Sequence, residues 1–185
     1  MNKKLKMDFI YKPAEDSYLL KEKLITCLNK IKNKNIKILD MGTGTGIQAL
    51  TCKKLGFKNI TAVDINKKAV KELKKQKAKN NIKIIHSDLF KKIRKKQKFD
   101  LIIFNPPYLP IHKYDKKPDT TGGKLGNETI NRFLKQAKHF LAEKGVILLL
   151  TSSLTKKINF LDYKKRKIAS KNMFFEKLYV WELNR

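Results

Sequence analysis

Asn105, Pro106, Pro107 and Tyr108 stand directly behind the apolar run DLIIF at 100–104. Proline has no N–H and a fixed φ, so carbonyl groups in a Pro-Pro segment are held rigidly as acceptors. The Asn105 side-chain carbonyl and the Pro106 backbone carbonyl can each accept one N–H of an incoming planar NH2 group. Two such acceptors position a nitrogen for attack and stabilise the positive charge that grows on it. Tyr108 can lie against the amide or base that carries the nitrogen. A strand end followed by a polyproline turn would use the same four residues, so other groups must separate the two readings.

Three carboxylates supply the separation. Asp40 closes IKILD, Asp64 closes ITAVD, and Asp88 follows IKIIHS. Any one of them could be a helix cap or a loop acid. The chain has only 16 acidic residues, so three at the ends of successive β-type runs would line one edge of a parallel sheet. Between the first two lies DMGTGTG, 40–46, in which Gly42, Gly44 and Gly46 turn a strand into a helix and expose bare backbone. The helix start offers N–H groups and positive potential. Dinucleotide fingerprints carry their last glycine one residue later and bind a pyrophosphate. The G-x-G-x-G spacing here, with an acid two residues ahead, suits S-adenosylmethionine, which has an amino-acid head and no phosphate. Asp40 can attract its ammonium, and the glycine backbone can accommodate its methionine part. Asp64 can accept from both ribose hydroxyls and Asp88 from the adenine amino group, with the Leu89 N–H meeting the adenine ring. Asn105 then falls beside the transferable methyl.

The elements that must hold these residues alternate between period two and period 3.6. Residues 14–31 read as a helix that carries Tyr18, Leu19, Ile25, Leu28 and Ile31, with Asp16 or Ser17 as N-cap. IKIL (36–39), NITAV (59–63), IKII (82–85), DLIIF (100–104) and VILLL (146–150) read as strands. GIQALTCKKLG is a helix that ends at Gly56, and Asn66 caps another that carries Val70 and Leu73. Ile130, Phe133, Leu134, Ala137, Phe140 and Leu141 form a helical stripe that runs to Gly145. FFEKLYVWEL (174–183) alternates like a terminal edge strand, paired in a hairpin with KRKIA. The order implies an open, mostly parallel sheet with helices on both faces, whose ligands bind beyond the carboxyl ends of the strands. Residues 108–127 show no periodicity; their glycines are expected to let a 109–127 loop bend over the substrate.

The chain has 185 residues, 41% of them hydrophobic, which suits one folded domain. No apolar run approaches the roughly 20 residues of a membrane span, and no h-region follows the basic start MNKKLKMDFIYKP. Cys27 and Cys52 are too few and too isolated for a disulfide framework or a zinc site, so a reducing cytoplasmic setting and no bound metal are expected. The formal charge is +28, from 44 Lys+Arg. Nearly all of these are lysine, densest at 71–79 and 91–98 and with few aromatics between them, which fits a solvated surface better than a base-reading one. Attraction to nucleic acid or another acidic partner remains compatible with it.

DMGTGTG, AVD, SDLF and NPPY, in that order, resemble a class I S-adenosylmethionine-dependent methyltransferase over most of the chain. NPPY restricts the resemblance to enzymes that methylate a planar nitrogen. YKPAEDSYLL (11–20), FNPPYLP (104–110) and GGKLGNETINRFL (122–134) are similar to the HemK-like family, in its short archaeal and eukaryotic branch. The resemblance implies one Rossmann-like domain over 1–185, with a seven-stranded, mostly parallel sheet and an antiparallel C-terminal edge strand. Within it, 1–35 form a lead-in and helix, 36–150 the cofactor-binding and NPPY core, and 151–185 the C-terminal strands. It implies methylation of the glutamine in the Gly-Gly-Gln motif of a translation release factor, with S-adenosylhomocysteine as product and a small zinc-binding activator subunit as partner. It also places the Ser17 hydroxyl near the cofactor.

Two other readings stay open from the motifs alone: methylation of an exocyclic amino group of RNA or DNA, and a module that binds S-adenosylmethionine or RNA without catalysis. Tyr11 and Pro13 are candidates to close the site. His112 is an exposed loop residue or a base, while His86 and His139 are expected to be structural or superficial. GGKLG lacks the spacing of a phosphate loop.

Overall fold

Short apolar runs separated by amphipathic segments assemble into one sheet covered on both sides. A computed structural model describes residues 9–75, 81–111 and 121–185. The order is α1 (Glu15–Asn29), β1 (Lys37–Met41), α2 (Ile47–Lys54), β2 (Asn59–Asp64), α3 (Lys67–Lys75), β3 (Lys83–His86), β4 (Phe99–Phe104), β5 (Leu109–Pro110), β6 (Thr121–Gly123), α4 (Glu128–Phe140), β7 (Leu141–Ser152), β8 (Lys164–Asn172) and β9 (Lys177–Asn184). The main sheet has seven strands in the order β3-β2-β1-β4-β7-β9-β8, and β5 pairs with β6 separately. The strands from β3 to β7 are parallel, and β9 is antiparallel to both β7 and β8.

Side chains alternate across the strands, and both faces are apolar because both are covered. Ile38, Ala62, Ile103 and Leu148 pack toward Leu20, Leu24 and Leu28 of α1 and Ala49 and Cys52 of α2. Leu39, Val63, Ile102 and Leu149 face the other way, onto Ile130, Phe133, Leu134 and Ala137 of α4. Each fully buried Leu, Ile or Phe side chain contributes about 1.5–3 kcal/mol relative to exposure. The chain runs outward from β1 through β2 to β3, then returns to β4 on the other side of β1. The carboxyl ends of β1 and β4 therefore flank the point where strand order reverses, and a crevice opens there. Among the described residues no helix is long and apolar enough to cross a membrane.

Three expectations are corrected. The N-cap of α1 is Ala14; Asp16 and Ser17 lie inside the first turn, buried, where Asp16 Oδ1 accepts from the Ser17 N–H and hydroxyl and its Oδ2 reaches out of the helix to Asn105. The helix with the Phe133 stripe ends at Phe140 rather than Gly145. Leu141 is extended and pairs with Phe99, because its buried side chain already belongs to the sheet core and a register shift follows. The sheet edge is β8, not β9. Leu178, Val180 and Leu183 of β9 are buried between β7 and β8, while β8 presents mostly exposed lysines, a composition that protects an edge. Phe174 and Phe175 belong to the turn between these strands. Asn66 does cap α3: its Oδ1 accepts the Lys68 N–H at 2.9 Å.

Candidate active site

The turn after β1 is built around two buried carboxyl groups. Asp40 Oδ2 accepts from Thr43 Oγ1 at 2.6 Å and from the Ala49 N–H at 3.0 Å. Asp64 Oδ2 accepts the Gly44 N–H at 2.7 Å, and its Oδ1 accepts the Asn66 N–H at 2.8 Å. Burial pushes the Asp40 carboxyl up to about 7, against the pull of the Thr43 and Ala49 hydrogen bonds. Burial also raises Asp64, opposed by backbone N–H groups of Asn66 and Gly44. Gly42, Gly44 and Gly46 all have positive φ. Glycine is required at 46, where φ is +87° and a Cβ would stand 2.6 Å from Leu73 Cδ1.

The three acids reach one cavity at different depths. Asp40 is opposite Ala62 in the sheet, Asp64 is opposite His86, and Asp88 lies two residues beyond the end of β3. All three line the same cavity with Ser17, Leu89 and Asn105. Asp88 is already paired: Arg132 Nη2 donates to both its oxygens, at 2.8 and 2.9 Å, and Lys91 lies 2.9 Å from Oδ2. Burial opposes ionisation there, but Lys91 and Arg132 hold its carboxyl below the usual range. Leu89 takes φ of +47° and is buried against the core.

Asn105 closes the cavity from β4. Its Nδ2 donates to Asp16 Oδ2 at 3.0 Å and to Ser17 Oγ at 3.3 Å. Two acceptors on Nδ2 fix which way the amide faces. Its Oδ1 is buried, and no described donor reaches it. An unpaired buried carbonyl costs roughly 1–3 kcal/mol, so an outside donor, the O–H of a water or the N–H of a ligand, completes such a site. Asp16 also accepts from the Tyr11 hydroxyl at 2.9 Å and the Tyr108 hydroxyl at 3.4 Å. Burial, then the Asp16 carboxylate, drive the Tyr108 phenol far above its ordinary range, so it stays a neutral donor. Pro107 lines the first cavity and Pro106 a second one, beside Glu15, Tyr108, Met173 and Glu176. Tyr11 and Asn105 border both cavities. The tyrosine ring is thus tied by its hydroxyl to α1, and its backbone carbonyl accepts from Thr155 Oγ1 at 2.9 Å.

Gly122 is no hinge. A Cβ there would collide with the Pro107 and Gly126 carbonyls, so this glycine permits β6 to press against the NPPY backbone. His112 and the rest of 112–120, the centre of the expected covering loop, lie outside the described residues. His86 Nε2 meets the Ile65 carbonyl at 2.9 Å, and His139 is on the surface. Among the described residues no cluster of His, Cys, Asp or Glu could hold a metal.

Asp16 and Gln48 are among the site residues, with Arg132, that sequence alone does not reveal. Asp16 looked like a cap because acids are common at helix starts. Gln48 sits in α2, 3% exposed, and its Nε2 donates to the Ser17 carbonyl at 2.9 Å. Its Oε1 is buried at the cavity wall without a partner. The available signal was a polar side chain within an otherwise buried helix face, IQALTC.

Residues 21–173 match the methyltransferase small domain. The chain is 40% identical over 191 aligned positions to a Methanocaldococcus jannaschii protein provisionally named a protein N5-glutamine methyltransferase, covering 94% of this chain and 92% of that one. It is 36% identical over 107 positions to the release factor glutamine methyltransferase of Fusobacterium nucleatum, covering 56% of this chain and 30% of that relative's length. The fold is similar to that of a chain in the structure of the E. cuniculi Mtq2–Trm112 complex, a complex described as responsible for methylation of the eRF1 translation termination factor. The TM-score is 0.72 at 24% identity, over 95% of this chain and 98% of that one.

Proposed function

Because the chain belongs to the methyltransferase small domain family, we propose that it transfers a methyl group from S-adenosylmethionine to the side-chain amide nitrogen, N5, of the glutamine in a release factor's Gly-Gly-Gln motif. The observation that carries this reading is the buried, unpartnered Asn105 Oδ1 on the border between two cavities. A planar NH2 group is what such an acceptor lacks. A glutamine amide rather than a base amino group is supported by the name of the 40% identical relative, which matches this chain almost end to end.

S-adenosylmethionine, bound in the first cavity, supplies an electrophilic methyl group and leaves as S-adenosylhomocysteine. The residues present fit it. Asp40 would hold its ammonium, and the backbone at Gly42, Gly44 and Gly46 would accommodate its methionine part. Asp64 retains acceptor capacity for the ribose hydroxyls. Asp88 serves the adenine amino group and Leu89 N–H the ring, with Arg132 holding the Asp88 carboxylate in place. Ser17 and Asn105 stand between the cofactor and the substrate.

A glutamine amide is a weak nucleophile because its lone pair is delocalised. Asn105 Oδ1 accepts one of its N–H groups and the Pro106 carbonyl accepts the other, which orients the nitrogen and stabilises the charge it gains. The Asp16 carboxylate on Asn105 Nδ2 polarises that amide and strengthens Oδ1 as an acceptor. Tyr108, kept neutral, walls the substrate side, and the amide proton leaves to water. We also place a partner subunit on this chain, as the structurally similar Mtq2 is held with Trm112. The lysine-rich surface attracts acidic partners, nucleic acid included.

Labelled S-adenosylmethionine offered to a release factor, the same factor with its Gly-Gly-Gln glutamine replaced, ribosomal RNA and DNA tests the reading. Label is expected on the intact factor alone. Label on RNA but not on the factor overturns it.

A further inference from the structure

Phe174 and Phe175 are 93% and 82% exposed at the β8–β9 turn, in a chain that buries Phe57, Phe99, Phe104 and Phe133 completely. Their rings meet edge to face, with centroids 4.7 Å apart. The turn that presents them is firmly held. The Met173 N–H donates to the Glu176 carbonyl at 2.7 Å, and the Ser153 N–H donates to the Lys177 carbonyl at 2.8 Å. Met173 packs on the core, Leu178 is buried, and Lys171 forms an ion pair with Glu15 at the start of α1. A pair of adjacent, largely exposed aromatics on a backbone held in place in this way is typical of a contact surface.

Position says what the contact is. Met173 and Glu176, the residues on either side of the pair, line the second cavity, which is continuous with Asn105 and Pro106. Glu176 Oε2 is buried there without a partner. Glu15, Asp16 and Glu176 make this wall acidic although the chain carries a net +28. Carboxyl groups repel a phosphate backbone and accept from peptide N–H or cationic side chains. Apolar rings beside unpaired acceptors therefore suit a polypeptide better than a nucleic acid.

We propose that the β8–β9 turn is the docking surface for the protein substrate: Phe174 and Phe175 seat the folded domain around the target glutamine, and Glu176 Oε2 accepts an N–H from the segment that enters the cavity. This rests on the glutamine-methylation reading.

The test is binding of a release factor to the full chain saturated with S-adenosylhomocysteine, measured by calorimetry. The double variant Phe174→Ala/Phe175→Ala is expected to weaken factor binding at least tenfold, with its melting temperature and S-adenosylhomocysteine affinity unchanged. Because both rings are exposed, the variant folds. Glu176→Gln is expected to weaken binding by a smaller factor and to raise KM for the factor. Equal factor affinity in the double variant and wild type overturns the docking surface while leaving the glutamine reading intact. A loss confined to RNA binding, with the factor held normally, overturns it as well. A wild-type chain that neither binds nor methylates the factor removes both.

Discussion

Asp16 and Asn105, 89 residues apart in sequence, are joined by a 3.0 Å hydrogen bond from the asparagine Nδ2 to the carboxylate Oδ2. The bond sets the amide so that Oδ1 is the end left without a described donor. On the proposed function, Asp16 is a positioning residue that acts through Asn105. Asp16→Ala is expected to lower methyl transfer about 100-fold, the scale of a small misplacement of reacting groups. Cofactor affinity should change by no more than a few-fold. Asp16→Asn, which keeps an acceptor but not the charge, should recover part of the loss. Single-turnover transfer rates beside calorimetric cofactor binding check this; equal losses in both quantities would falsify the role.

Asp40 makes the chain pH-sensitive. Its folded carboxyl sits at about 7 against an ordinary 3.8, so between those values the folded state holds a proton that the unfolded state has lost. Stability from this group is therefore fully present below the unfolded value and declines as pH rises toward 7, by at most about 1.4 kcal/mol per pH unit. Urea unfolding of the ligand-free chain from pH 4 to 8 should show that slope, and Asp40→Asn should flatten it. Affinity for S-adenosylmethionine, whose ammonium favours the ionised carboxylate, should move oppositely and tighten as pH approaches 7.

Gln48 Oε1 is a second buried acceptor without a described donor; on the proposed function the amino-acid head of S-adenosylmethionine would supply one. Gln48→Leu is expected to weaken S-adenosylmethionine binding roughly tenfold, the lower range for a hydrogen bond to a charged group. Methylthioadenosine, which lacks that head, should bind both forms alike. A parallel loss for the two ligands would place the effect in α1–α2 packing instead.

Gly122 presses β6 against the backbone that carries Pro107. Gly122→Ala forces those carbonyls apart and is expected to cost about 1–3 kcal/mol. In a domain of this size that lowers the melting temperature by on the order of 5 °C. Gly56→Ala makes a useful comparison, since a Cβ there meets nothing within 4 Å and only the left-handed backbone is strained. An unchanged melting temperature for Gly122→Ala would remove the close approach as the reason for that glycine.

Periodicity made the five parallel strands of the main sheet and the four helices of the described residues legible, because each buries a face against something and the spacing of apolar residues records that. The ends were less legible. Helix propensity carries the Phe133 stripe through Leu141, but pairing with Phe99 claims Leu141 for the sheet. The edge position of β8 was in principle readable from its lysines, since a strand with KKRK at one end cannot sit between two others as β9 does.

By itself the sequence determined the parallel sheet, the Asp40, Asp64 and Asp88 carboxylates at its edge, the glycine turn and the NPPY amide, because each is a local pattern of residue type and spacing. Only the tertiary structure decided that Asp16 is no cap but the anchor of Asn105, that Asp88 is already held by Arg132, and that Met173 and Glu176, which flank two exposed aromatics on a distant hairpin, line the cavity beside Asn105. Those relationships join residues far apart along the chain, and no local spacing encodes them; the packing of α1 and the β8–β9 hairpin against the strand ends brings them together.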